Sequence, residues 1–177
     1  MAKQGCKVHA FDPSINQLTH KEDNNLYFYN LGLAGKNSFK TDTKDINHPT
    51  WRLLTLSGIM QTLKIEKEKI AVLKIDIEGM EWESLRTMLS EGTLQYVKQL
   101  VLEIHIGAGD LDSVNNELLR EHYSDLKWLE SQGFNVFNTR KNPVSHKVYL
   151  GSKYLTHACC FELSWVNTRF NDWWGIT

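Results

Sequence analysis

Cysteine is scarce in this sequence: Cys6, Cys159 and Cys160 are odd in number and lack metal-ligand spacing. Adjacent Cys159 and Cys160 would point to opposite faces of a strand and so make poor joint ligands. All three are expected as small buried hydrophobes, and no metal site is expected. No apolar run is long enough to span a bilayer, and nothing near Met1 reads as a signal peptide. Localisation is left open. Basic residues form no stripe, and the net charge is −1 with a pI near 6.7. Neither nucleic acid nor an acidic membrane is therefore an expected partner. No repeat, low-complexity tract or linker divides the chain, so residues 1–177 are read as one domain. "GLAG" (Gly32 to Gly35) and "GAG" (Gly107 to Gly109) lack the spacing of a dinucleotide loop or a P-loop.

What remains is ordinary in bulk, with 41% hydrophobic and 23% charged residues, but ordered in pattern. Strand and helix signatures alternate, which indicates α/β architecture. Gly5 reads as the left-handed stop of a helix that has almost no body before it. "CKVHAF" is a strand halted by Pro13, and residues 26–31 form a second. Residues 36–50 read as an exposed polar loop. "WRLLTLSGIMQTL" gives a short strand and a short helix, with Ser57 as N-cap. "IAVLKIDIEG" is a nearly continuous apolar run, as expected of a parallel strand covered on both faces. Trp82, Leu85 and Leu89 then recur at helical spacing before Gly92. "VKQLVLEIH" is another buried-type strand. Val114, Leu118, Leu126 and Leu129 mark an amphipathic helix over residues 112–132, closed by Gly133. "FNVFNTR" and "ACCFELSWVN" are two late strands around the polar loop "KNPVSHK". Trp165, Trp173 and Trp174 are expected to pack back onto the core.

In open sheets of this kind ligands bind beyond the carboxyl ends of the strands. Asp12 follows the first strand, either as a turn opener or as an acid for a ribose diol. Asp76 ends the apolar run, where an unpaired charge is costly. A buried pair with Lys74 is one explanation and a site carboxylate is the other. Glu81 and Glu83 are accounted for by the helix macrodipole, worth about 0.3–1 kcal/mol each. Glu103 and His105 share a face near the end of their strand. They are read as a base oriented by a carboxylate, as metal ligands with Asp76, or as a satisfied polar pair.

Taken in order, "CKVHAFDPS", "FYNLGLAG", "VLKIDIEGMEWESL" and "VKQLVLEIH" closely resemble the FkbM-type methyltransferase domain, in its animal methyltransferase-like branch. "KIDIEG" is the specific part. The resemblance implies a three-layer, Rossmann-like class I fold that uses S-adenosylmethionine, its sheet mostly parallel with an antiparallel last strand. It places Asp12 at the cofactor ribose and Asp76 near the transferred methyl group. It makes Glu78, Glu103 and His105 the candidates for removing the acceptor's proton. "FNVFNTR" and "ACCFELSWVN" would supply the closing pair of strands.

In that family a first strand and its glycine-rich loop precede the acid of the second strand, and here nothing precedes "MAKQG". The chain is accordingly expected to be N-terminally truncated, lacking the central first strand and the cofactor loop. A rearranged sheet in which strands two and four meet is the alternative. The expected reaction is methyl transfer to an oxygen or nitrogen nucleophile of a small molecule or glycan. The competing reading is a non-catalytic methyltransferase-like binding module. A dinucleotide oxidoreductase would also need a glycine loop, and "KIDIEG" speaks against it.

Overall fold

In the computed structural model, described over residues 1–15, 19–23, 25–41, 50–65, 69–107, 112–150 and 156–170, the chain starts on a single turn. Ala2–Gln4 form a 3-10 turn that Gly5 stops at φ 88°. β1 (Val8–Phe11), β2 (His20–Asp23) and β3 (Leu26–Tyr29) make one sheet, β3 lying parallel to β1 and antiparallel to β2. β4 (Gly32–Leu33), β5 (Ser38–Thr41) and β6 (Thr50–Leu54) make a second, with β6 central. α1 (Leu56–Leu63) follows.

The main sheet is built from the strongest apolar runs. β7 (Ile70–Ile75) leads to α2 (Glu81–Ser90) and then to β8 (Val97–His105), which lies parallel to β7. β9 (Asp112–Val114), α3 (Asn116–Ser131) and β10 (Phe134–Lys141) come next. The hairpin of β11 (Lys147–Leu150) and β12 (Thr156–Ala158) precedes the last strand, β13 (Cys160–Asn167). The strand order is β10-β13-β8-β7, so β13 inserts antiparallel between β10 and β8. The two late strands therefore do close the sheet as an adjacent pair. Among the described residues, four strand pairs are parallel and five antiparallel. The hairpins β2–β3, β5–β6 and β11–β12 account for the antiparallel excess over expectation.

The core sits between this sheet and its helices. Leu100, Leu102 and Ile104 of β8 join Ile75 of β7, and they pack with Trp82, Leu85 and Met88 of α2, Leu129 of α3 and Trp165 of β13. Helical spacing supplied the α2 contacts as expected, and Trp165 packs inward; Trp173 and Trp174 lie outside the described residues. Gly35 of "GLAG" is explained by packing. A Cβ there would stand 2.2 Å from Glu83 Cγ, and the Gly35 carbonyl accepts from Thr87 Oγ1 at 2.8 Å.

Several expectations are corrected. The cap of α1 is Thr55, whose hydroxyl accepts from Gly58 N–H at 3.2 Å, and not Ser57. The helix therefore starts two residues earlier than the sequence suggested, with Leu56, Ile59 and Met60 buried. Ser38–Thr41, read as loop, pairs with β6; residues 42–49 of that expected loop lie outside the described residues. Val114 belongs to β9, because Asn115 caps α3 by accepting from Leu118 N–H at 2.8 Å. The stretch after "KNPVSHK" holds the extra hairpin. Lys74 and Asp76 are not a buried pair, since both are exposed and Lys74 lies 3.9 Å from Glu162.

The cysteine expectation holds for the burial of Cys159 and Cys160 but not otherwise. Cys159 sits in a bend between β12 and β13, where strand alternation is broken, and both sulfurs fall on the same side, joined as a disulfide. Cys6 is free and exposed rather than buried.

Because Leu100 is wholly enclosed, Leu100→Ala should lower unfolding free energy by about 2–5 kcal/mol. Urea denaturation measures this, and a loss below about 1 kcal/mol would contradict the packing described.

Candidate active site

The site forms where β7 runs into α2. Glu78 and Gly79 both take left-handed backbone, at φ 53° and φ 95°. That conformation is ordinary for glycine and uncommon for glutamate. The turn leaves N–H groups at the start of α2 without helical acceptors, and the N-cap residue Met80 offers no side-chain acceptor. Glu81 supplies one. Its carboxylate folds back to accept from Ile77 N–H at 2.9 Å and from Gly79 N–H at 2.9 Å. Glu81 is fully buried.

The same carboxylate reaches β8. Glu81 Oε1 lies 3.0 Å from His105 Nδ1. An ionised carboxylate only accepts hydrogen bonds, so an ionised Glu81 selects the His105 tautomer with its proton on Nδ1. The imidazole side chain is 10% exposed, and its Nε2 faces Glu78 Oε2 at 3.6 Å. The other end of His105 is also held: its carbonyl accepts from Trp82 Nε1 at 2.8 Å. The ring is thus fixed at Nδ1 and presents Nε2 outward beside Glu78 and Asp76. Donor atoms of Asp76, Glu78 and His105 all lie within 4.8 Å of one another.

Asp76 is exposed at the strand end. Its carboxyl is held above the usual carboxylate range, first by the partial shielding of the protein, then by repulsion from Glu103, with Glu78 adding to it. Lys74 and His105 oppose the shift. Asp76, Glu78 and His105 carry oxygen and nitrogen donors suited to a divalent cation. Both carboxylates are open to water, however, and such groups gather without an ion.

The sequence-predicted residues are therefore partly assembled. Asp76, Glu78 and His105 come together. Glu103 is buried and turns to Asn142, whose Nδ2 donates at 2.7 Å, so it does not orient His105 as expected. Glu81 does that instead, and its assignment to the helix dipole alone is corrected. Asp12 stands apart, on a sheet not paired with β7 or β8. Its Oδ1 accepts from the backbone N–H and hydroxyl of Ser14 at 2.8 and 2.7 Å, an Asx turn.

Sequence reasoning missed Asn142 and His122 as well. His122 of α3 stacks on Trp82 with ring centroids 3.8 Å apart and planes 2° from parallel. Burial, aided by the Arg86 charge, lowers its pKa against the opposing pull of Asp125 and Glu121. Arg86 Nε in turn donates to Asp125 at 2.8 Å. Trp82 at helical spacing was the visible signal; its ring partner comes from another helix.

A buried carboxylate contacts an imidazole at the end of one parallel strand, beside carboxylates at the end of the next, and this makes a candidate ligand site at the edge of an α/β sheet. Residues 1–155 match a family profile described as a methyltransferase domain, and the chain belongs to that family. It is 31% identical over 172 residues to human "Probable methyltransferase-like protein 24". Identity to the protein of the same name from Rattus norvegicus is 30% over 172 residues. Each alignment covers 96% of this chain and 46% of the relative, so the chain spans about half the length of these curated proteins. No solved structure matches the chain.

Glu81→Ala leaves the N–H groups of Ile77 and Gly79 and a largely buried imidazole without their acceptor, and should cost about 3 kcal/mol of stability. Glu81→Gln should cost less, while the nitrogen-15 shifts of His105 show the ring losing its single tautomer. Unchanged shifts in both variants would contradict the contact.

His122 gives a signed pH dependence. Its folded pKa is below the unfolded value of about 6.5, so the unfolded chain binds the proton more readily. The stability is fully present above pH ~6.5 and is lost as pH falls toward the folded value. His122→Phe, which keeps the stacked ring, should flatten the urea-midpoint profile between neutral and mildly acidic pH. An unaltered profile would exclude the buried neutral imidazole.

Proposed function

We propose that the domain catalyses S-adenosylmethionine-dependent methyl transfer to an oxygen or nitrogen nucleophile of a small-molecule or glycan acceptor. The observation that carries this reading is the Glu81–His105 contact at the carboxyl end of β8, with Nε2 turned toward Asp76 and Glu78. Membership of the methyltransferase family supplies the reaction class. S-adenosylmethionine supplies an electrophilic methyl group when bound.

In the proposed site Asp12 and Asp76 would hold the cofactor, Asp12 at its ribose and Asp76 on the methyl-donor side. Nε2 of His105 takes the acceptor's proton, and Glu81 stabilises the imidazolium that forms. Glu78 and Glu103 set the negative field around the ring, Glu78 from the solvent side. The chain's main contribution is positioning acceptor and methyl donor in line. Among the described residues no helix is long and apolar enough to cross a membrane.

The fold reading is finer than family membership. The order β10-β13-β8-β7 with an antiparallel β13, and parallel pairing of β1 with β3, support a class I sheet in two parts. β1 and β7 do not pair with each other. Each stands at the edge of its sheet among the described residues, and unpaired edges of this kind favour pairing with a further strand. The same gap favours a second reading for this chain by itself: a methyltransferase-like module without activity. Engagement of Asp12 by Ser14 is consistent with it.

Asp76→Ala should abolish transfer while leaving the fold intact by circular dichroism. Turnover at the wild-type rate would sink the assignment. Calorimetric titration with S-adenosylhomocysteine separates the two readings for the 177-residue chain, since clear binding would remove the inactive module from consideration.

A further inference from the structure

A second cluster of chemically capable side chains lies beside the candidate active site but takes no part in it. The chain bends at Cys159 between β12 and β13, and three backbone hydrogen bonds hold that bend. Cys159 N–H donates to the His146 carbonyl at 3.0 Å, Ile106 N–H donates to the Cys159 carbonyl at 2.9 Å, and Asn142 N–H donates to the Cys160 carbonyl at 3.1 Å. With the backbone pinned on both sides, both sulfurs face one way. His146 meets them there, its Nδ1 3.4 Å from Cys159 Sγ.

One donor atom from each of the three residues lies within 4.8 Å of the others. Cys159 is fully buried and Cys160 nearly so. The surroundings are apolar: Val114 and Val148, with Ile106, Leu119 and Leu150 packed against them. His146 Nε2 is buried and has no hydrogen-bond partner among the described residues. The ring thus turns Nδ1 to the sulfurs, while its other nitrogen lacks the hydrogen bond that a buried polar atom normally finds.

We propose that in the reduced chain His146, Cys159 and Cys160 bind a thiophilic divalent cation of the Zn2+ type. The donor set selects this class: thiolate with imidazole suits zinc, whereas magnesium and calcium require oxygen. Charge favours it too. Two thiolates and one neutral imidazole around a 2+ ion make a neutral unit, and a neutral unit is what an apolar pocket tolerates. Three protein ligands leave the fourth tetrahedral position for water or a further donor.

The structure shows the sulfurs joined. Reduction adds two electrons and two protons, breaks the S–S bond and yields two thiols; the cation then binds as both thiols release their protons to solvent. The site lies next to the catalytic strand end, because Cys160 is the register partner of His105. It does not depend on methyl transfer, and its test is independent of activity.

The test is Co2+ titration of the whole chain after reduction with a phosphine and anaerobic desalting. One equivalent should develop a thiolate-to-cobalt charge-transfer band, and Zn2+ should bleach it. Cys6→Ser should leave the band intact, whereas Cys159→Ser with Cys160→Ser should remove it. His146→Ala should weaken binding at least about tenfold, since loss of even an outer partner costs that much. The proposal is overturned by the absence of the band in fully reduced, folded protein. It is equally overturned by a band that survives the double serine variant, or by a chain whose mass shows the disulfide resisting reduction. Circular dichroism of each variant establishes that the fold is retained.

Discussion

The carboxylate of Glu81 is the point on which the rest of the site depends. It is fully buried, and a buried charge survives only when hydrogen bonds replace its lost water. Here two backbone N–H groups of the turn and one imidazole do so. In consequence three things are tied together: the left-handed turn at Glu78 and Gly79, the start of α2, and the tautomer of His105. Removing the carboxylate would loosen all three at once, although only one of them carries chemistry.

The sheet then sets what that imidazole can address. β7 and β8 run parallel, so their carboxyl ends open on the same side. Asp76 and Glu78 come from one end and His105 from the other. Insertion of β13 between β8 and β10 brings Cys160 level with His105 and Glu162 level with Glu103. Facing glutamates on adjacent strands are unfavourable in isolation. Lys74 near Glu162 and Asn142 on Glu103 relieve them. Polar groups on this end of the sheet are thus arranged in two hydrogen-bonded groups, Glu81–His105 and Glu103–Asn142, and the Glu103 charge still acts on Asp76 between them.

Much of the fold was legible because its signals are local. The run "IAVLKI" reads as a buried strand, and Trp82, Leu85 and Leu89 read as one helical face; the strand and the helical face are found, but β7 lies at the sheet edge and only Ile75 of it is buried. Gly5 was legible for the same reason, since positive φ is a property of one residue. Legibility failed wherever two local options were equal in energy. Thr55 and Ser57 are equally competent caps, and the burial of Leu56 chose between them. Asp112–Val114 was drawn into a helix because Val114 fits the helical spacing, yet pairing with β11 claimed it. The site showed the same division. Asp76, Glu78 and His105 could be named from their places at strand ends. The partner of His105 could not, because Glu103 stood two residues away on the same face while Glu81 was distant in sequence.

By itself the sequence determined the strand–helix alternation, the faces that enter the core and the strand ends at which polar side chains gather. Those follow from periodicity, and periodicity needs no neighbours. Only the tertiary structure decided which carboxylate meets which imidazole, and that Cys159 and Cys160 face the same way. Both depend on long-range backbone contacts: a turn that buries Glu81 against β8, and a bend clamped by His146, Ile106 and Asn142. Contacts between segments so far apart in the chain leave no periodic trace within either segment.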